Sequence, residues 1–142
     1  MKNSDINIEN KPELFIVCLN DKCSFAEKCL RYNVGLISLE TANTFRTVNP
    51  AKYNETNCKY YIENRKAKIA YGMKGSFEDV KAKDIVEMRK HLISYFGNNY
   101  YYKKRRGELP ITPKEQAFVA KVFKSYGYEI VFDTIKEETL WE

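Results

Sequence analysis

Three stretches of the chain space their apolar residues regularly enough to predict an element. Ile85, Met88, Leu92, Tyr95 and Phe96 fall at i, i+3, i+7, i+10 and i+11. That is one face of a helix opening at Lys83-Asp84 and closing before Gly97, a natural residue just past a helix end. A second helix is announced by Thr112-Pro113-Lys114-Glu115, which supplies an N-cap, a proline at the first helical position and a glutamate at the third. Its apolar stripe is Val119, Val122, Phe123 and Tyr126, and Gly127 stops it. Residues 67–73 alternate in the manner of a strand, which Gly75 ends.

Elsewhere the pattern is thinner. The apolar run at residues 14–19, bounded by Pro12 and by Asn20-Asp21, reads as a strand or an extended buried segment. Ser24 with Glu27 has the form of a capping box for a short helix burying Phe25, Ala26, Cys29 and Leu30. Val34, Leu36, Ile37 and Leu39 fit a strand or a helical turn equally well. Tyr100-Tyr101-Tyr102 favours extended structure, Lys103-Lys104-Arg105-Arg106-Gly107 reads as a basic turn, and residues 128–133 read as a last strand. Residues 1–11 are polar and are expected to form a loose tail. With no internal repeat or low-complexity linker, residues 12–142 are expected to form a single α+β domain. Two or three main helices and a small sheet are anticipated.

A chain of 142 residues can bury a real core without a covalent or metal staple. Apolar and charged fractions of 44% and 30% belong to a globular, soluble protein. No signal-peptide segment opens the chain and no run approaches a membrane span of ~18 apolar residues, so the cytoplasm is the expected compartment. The net charge of +5 is concentrated. Residues 58–106 carry thirteen Lys or Arg against five Asp or Glu, whereas residues 107–142 carry four against seven. A basic middle of this density is ordinarily a solvated face, and nucleic acid or an acidic protein surface is the partner it would otherwise suit.

The feature that chance placement explains least is sulfur. Cys18, Cys23 and Cys29 fall within twelve residues, Cys58 follows, and the chain has four cysteines in all. Four thiolates complete a closed tetrahedral zinc site, and reduced thiols are the rule in the cytoplasm. A structural zinc on Cys18, Cys23, Cys29 and Cys58 is the leading expectation. The spacing is less regular than the paired C-x2–4-C arrangement of most such sites. It fits neither ferredoxin pattern, which disfavours an iron–sulfur cluster. Cysteines packed as small apolar residues, or one acting as a reactive thiol, are the other readings. The single histidine, His91, flanks the stripe of the first predicted helix, and nothing in the spacing pairs it with a cysteine.

The second candidate is the aromatic and basic segment. Tyr100 and Tyr102 offer rings for base stacking, and Lys103, Lys104, Arg105 and Arg106 offer charge for phosphates. Its plain alternative is tyrosines packed on the core beside a solvated turn. Phosphate-binding loops, a dinucleotide fingerprint, metalloprotease and nucleophile-elbow motifs are missing, so an enzyme is not the expectation. The functional expectation is a non-catalytic binding module with a structural zinc, possessing a nucleic-acid contact at this loop. The alternatives are a protein-interaction adaptor or a thiol-dependent enzyme.

The order of features resembles a known family. Cys18, Cys23, Ala26, Cys29-Leu30-Arg31, Asn49-Pro50, Cys58 and Ala70-Tyr71-Gly72 carry the likeness in the first half. Tyr101-Tyr102, Arg105-Arg106-Gly107-Glu108, residues 112–116, Gly127-Tyr128 and the acidic end at Trp141 carry it in the second. Together they resemble an uncharacterised family of small cysteine-containing proteins from Bacteroides-like bacteria, a domain of unknown function. The resemblance implies a bacterial cytoplasmic domain and no particular substrate.

Overall fold

The computed structural model describes residues 5–142. Met1–Ser4, the first part of the expected tail, lie outside the described residues. Among the described residues there are five helices and one two-stranded antiparallel sheet, so the fold is α+β. The helices are α1 (Leu30–Thr41), α2 (Lys74–Glu78), α3 (Ala82–Phe96), α4 (Asn98–Arg106) and α5 (Pro113–Ser125). The strands are β1 (Lys66–Tyr71) and β2 (Thr134–Thr139). The chain divides into two compact units. One comprises the residues up to Lys66 together with Glu138–Glu142, the other Ala67–Glu137.

The first unit is poor in regular structure. Its apolar cluster is Ile6, Phe15, Val17, Leu30 and Val34, with Ile37, Ile62 and Trp141 packed on it. The Trp141 ring meets Phe15 edge-on at 5.0 Å, so the acidic C-terminal end is anchored by its one large aromatic. The run at residues 14–19 is extended, but its β pairing is an isolated parallel bridge from Val17 to Thr47 and not a place in the sheet. Ser24 does not cap a helix. Its hydroxyl donates to Glu55 O at 3.0 Å, and only a 3-10 turn, Ala26–Lys28, follows. The ambiguous apolar set at residues 34–39 lies on α1, whose N-cap position is Cys29.

The second unit contains the larger core. Met73, Phe77, Met88, Leu92, Tyr101 and Phe123 are all at most 2% exposed. Each such side chain contributes about 1.5–3 kcal/mol by leaving water. The two helices predicted from spacing are present as α3 and α5. The α5 start has the full capping box, with Thr112 Oγ1 accepting from Glu115 N–H and the Glu115 carboxylate accepting from Thr112 N–H. The alternating strand is β1.

Two expectations need correction here. Residues 100–106 are helical, not extended and turn-like, because Gly97 (φ 88°) and Gly107 (φ 86°) punctuate the chain on either side and nothing between them breaks a helix. Burial of Tyr101 against the core overrides the extended preference of three tyrosines. Residues 128–133 form no strand. Asp133 accepts from the N–H groups of Lys74 and Gly75 at 2.9 and 3.0 Å, and Ser76 Oγ exchanges hydrogen bonds with the backbone of Val131. The segment thus satisfies the first turn of α2 instead of a sheet edge, and the last strand is displaced to β2.

Burial pushes the Tyr101 phenol above its ordinary value of about 10, against a smaller pull downward from the charge and hydrogen bond of Arg105. A raised folded-state value means that the unfolded chain loses its proton first. The contribution is therefore complete below pH ~10 and is lost as pH rises beyond it. Tyr101→Phe is expected to cost about 1 kcal/mol at pH 7 and to flatten the fall in stability between pH 9 and 11. Urea midpoints of both proteins across that range check it.

Candidate site: a cavity lined by the four cysteines

In the first unit, hydrogen bonds deliver each cysteine from a different local setting. Cys18 follows the Val17 bridge, in which Val17 N–H donates to Arg46 O at 2.8 Å and Val48 N–H to Val17 O at 2.9 Å. Asn20 then turns the chain. Its side-chain oxygen accepts from Lys22 N–H and its carbonyl from Cys23 N–H, at 3.2 and 3.3 Å. Cys29 closes the 3-10 turn and precedes α1. Residues 61–64 run antiparallel to residues 28–30, with Leu30 N–H on Ile62 O at 2.6 Å and Asn64 N–H on Lys28 O at 2.7 Å. That pairing brings the Cys58 turn alongside Cys29.

The four thiols, from three separate segments, line one cavity of about 660 Å³. Cys29 is buried, and Cys18, Cys23 and Cys58 are half-buried. Burial pushes the Cys18 thiol up. The Asn20 N–H, which donates to its sulfur, pulls it down, and the proximity of Cys29, Cys58 and Cys23 adds to the upward shift. Cys58 Sγ likewise accepts from Tyr60 N–H at 3.4 Å. Two of the four sulfurs therefore have a backbone donor two residues on, and at Cys18 that donor only partly offsets the effect of burial. Among the described residues, no three His, Cys, Asp or Glu side chains are grouped closely enough to hold a metal ion with the thiols as they stand.

Arg31 holds this arrangement together, and reading the sequence did not single it out as a site residue. Its Nε donates to Tyr60 O at 2.6 Å and its Nη1 to Ile16 O at 2.7 Å, while its guanidinium lies 5.0 Å from the Phe15 ring centre. Its own carbonyl accepts from Cys18 N–H at 3.0 Å. One residue thus ties the segments of Cys18, Cys29 and Cys58. The available signal was position alone, two residues past a cysteine at the start of a helix. Gly35 matters for the same packing. A Cβ there would run into the Cys18 carbonyl oxygen, so α1 approaches the cysteine segment only because that position is glycine. Asn33 is buried and returns its amide to Cys29 O at 2.7 Å and Glu27 O at 3.1 Å, satisfying carbonyls of the turn before α1.

The aromatic and basic segment is placed differently. On α4, Tyr100 is exposed and Tyr102 is half-buried against the second unit's core. The Lys104 ammonium pairs with Glu115 at 3.1 Å with 12% of its side chain exposed, and it also donates to Pro110 O. The Arg105 guanidinium lies over the Phe77 ring at 4.5 Å and donates to Tyr101 Oη. Arg106 pairs with Glu108. Three of the four cations are therefore engaged within their own unit, and Lys103 is half-buried. His91, in the second unit, has its ring 6.2 Å from that of Tyr126.

An α+β chain with a cysteine-lined cavity in one of its two units is what fold and site together define. The family described as "Family of unknown function (DUF6078)" matches residues 1–141, and the chain belongs to it. No curated protein and no solved structure matches the chain. Among the described residues no helix is long and apolar enough to cross a membrane.

Replacing Arg31 by Met keeps the aliphatic stem but leaves the Ile16 and Tyr60 carbonyls without their charged donor. A loss of about 2–4 kcal/mol is expected, measured as a lower urea midpoint with a smaller change for Arg31→Lys.

Proposed function

We propose that this protein is a non-catalytic binding module in which Cys18, Cys23, Cys29 and Cys58 hold one structural zinc ion. The observation that carries the reading is the convergence of all four thiols of the chain on one cavity. A backbone N–H is directed at the sulfurs of Cys18 and Cys58, a contact compatible with metal-bound sulfur, and a bound cation would offset the burial that raises the Cys18 thiol. Cys29 is buried among the core residues, but Cys18, Cys23 and Cys58 are half-buried and belong to neither apolar cluster, which argues against the set serving simply as core. No histidine or carboxylate is among the residues lining the cavity, so the usual partners of a thiol nucleophile are not found there. The donor set of four soft sulfurs suits zinc, and closing it on one ion requires rotation of the thiol side chains.

In this reading zinc contributes folding energy, not chemistry. Residues 53–65 contain no helix or strand, and a Cys58–metal bond would fix that stretch to the turns carrying Cys18 and Cys23. Nucleic acid at Tyr100, Tyr102 and Lys103–Arg106 receives less support from the geometry, since Lys104, Arg105 and Arg106 already have partners within the unit.

Protein purified without chelator is expected to carry about one zinc per chain by elemental analysis, and Cys29→Ser or Cys58→Ser to carry none. Loss of the metal should lower Tm by roughly 10 °C, the equivalent of ~3 kcal/mol. Because ligation displaces protons from the thiols, zinc should also be released on acidification. Metal-free protein whose stability is unchanged in both variants would refute the reading.

A further inference from the structure

The cavity wall carries more than sulfur. Lys52 and Lys59, both exposed, line it together with Arg31. Tyr53, Tyr60 and Tyr61 line it as well, and so do Asn54 and Asn57. No carboxylate is among the lining residues. The carboxylates whose charge reaches these rings are Asp21 at Tyr53 and Glu63 at Tyr61. Tyr53 and Tyr61 also feel the thiols, Tyr53 that of Cys18 and Tyr61 that of Cys29, so both phenols stand close to the sulfur lining. The Tyr61 ring is 37% exposed and leans on Phe25, itself 40% exposed, at 5.6 Å between centres. The Lys59 ammonium sits 5.2 Å from the centre of the Tyr60 ring.

Stacking rings, the Asn57 amide, and cations with no carboxylate in the lining form a set that recognises a nucleotide. The Asn54 oxygen is taken up by Thr56 and Asn57, which leaves its NH2. Rings and cations were likewise expected at residues 100–106, where the second unit's own contacts occupy most of the cations. At about 660 Å³ the cavity falls within the range of ~300–1,000 Å³ usual for small-ligand sites. We propose that it binds a nucleotide, with phosphate at Lys52 and Lys59, the base against Tyr53 or Tyr61, and the Asn57 amide at the base edge. The nucleotide is either free or part of a single strand, since the chemistry presented is common to both. This inference goes beyond the zinc reading and does not rest on it, because rings and cations line the wall whatever the thiols hold. A zinc tetrathiolate would carry a charge of −2, which Arg31, Lys52 and Lys59 more than offset.

The experiment uses the full chain with its zinc content measured beforehand. A fluorescein-labelled oligothymidylate of about twelve nucleotides, long enough to span a typical single-strand site, is followed by anisotropy. AMP and UMP serve as competitors and are titrated directly by calorimetry. Inorganic phosphate at the same concentrations controls for simple anion binding. Binding of the oligonucleotide or of either mononucleotide is expected. Mononucleotide binding points to a free nucleotide as ligand, and oligonucleotide binding without it points to a single strand. Removing both exposed lysines, by Lys52→Ala with Lys59→Ala, should weaken binding about tenfold or more and reduce the salt slope by roughly 1.4 for two lost phosphate contacts. Tyr61→Ala should weaken it about tenfold through lost stacking. Lys121→Ala with Lys124→Ala, on α5, should leave it unchanged.

Absence of binding by all three probes at millimolar concentration, equal displacement by inorganic phosphate, or wild-type affinity in the Lys52 and Lys59 double variant would each overturn the proposal. Zinc-replete protein that binds no probe refutes this inference and leaves the metal reading standing. Metal-free protein that binds, and loses binding in the double variant, does the reverse.

Discussion

The first unit depends on a guanidinium that has been given carbonyls instead of a carboxylate. Arg31 donates to Ile16 O and Tyr60 O, and its backbone carbonyl receives Cys18 N–H. Charge-assisted bonds of this kind contribute about twice what neutral ones do. Here they are spent on segments that lack a ladder of their own. Residues 14–19 and 58–64 would otherwise be joined to α1 by isolated bridges and single backbone bonds. Arginine suits the task where lysine would not, because its rigid fork reaches two carbonyls at a fixed angle while its flat face covers Phe15. The fold of this unit is consequently organised around side-chain chemistry, with little secondary structure to support it.

The second unit is built in the opposite way. Its helices are specified locally and packed by apolar side chains, and its polar devices work at element ends. Asp133 completes the first turn of α2, Thr112 and Glu115 complete that of α5, and the Tyr128 hydroxyl joins Asp84 Oδ2 at 2.6 Å to Lys81 N–H at the start of α3. Each replaces hydrogen bonds that a helix start would otherwise take from water. The cationic end of α4 follows the same logic. Lys103, Lys104, Arg105 and Arg106 occupy its last turn, where cations are favoured by the helix dipole. A run that looks like a ligand-binding patch in the sequence is also what a short helix needs at its C-terminus.

What could be read from the residues divides along the same line. α3, α5 and β1 were legible because periodicity and capping are local properties, and those elements obey them. α4 was not, since three consecutive tyrosines have an extended preference and only the burial of Tyr101 reverses it. The segment at residues 128–133 differs from a strand for a related reason: its β-branched and aromatic residues suit a strand, but the partners of its backbone, Ser76 Oγ at Val131 and Gly72 O at Asp133 N–H, lie far upstream in the sequence. In the site, the sulfurs stood out by type and number. Arg31 and Gly35 did not, because a hydrogen-bonding clamp and a close approach of backbones are properties of pairs of segments, and one segment alone carries no trace of them.

The gap between Cys29 and Cys58 has a physical consequence of its own. Closing a loop of this length costs entropy that rises only as the logarithm of its size, so a distant ligand is little more expensive than a near one. The loop holds α1 and a 3-10 turn, and its return is fixed at Leu30 with Ile62 and at Lys28 with Asn64. Those bonds lie beyond Cys58, at residues 62–64, so they set where the cysteine turn arrives but not how rigidly its sulfur is held. Rigidity at that point comes from the N–H of Tyr60 and from Arg31. The irregular segment that carries aromatic rings and lysines into a cavity wall is held by the Arg31 bond to Tyr60 O, by the Ser24 hydroxyl on Glu55 O and by the turn closed on the Asn54 side chain. A bond made at the sulfurs would add to the stability of the unit and bear on the shape of the surface it presents.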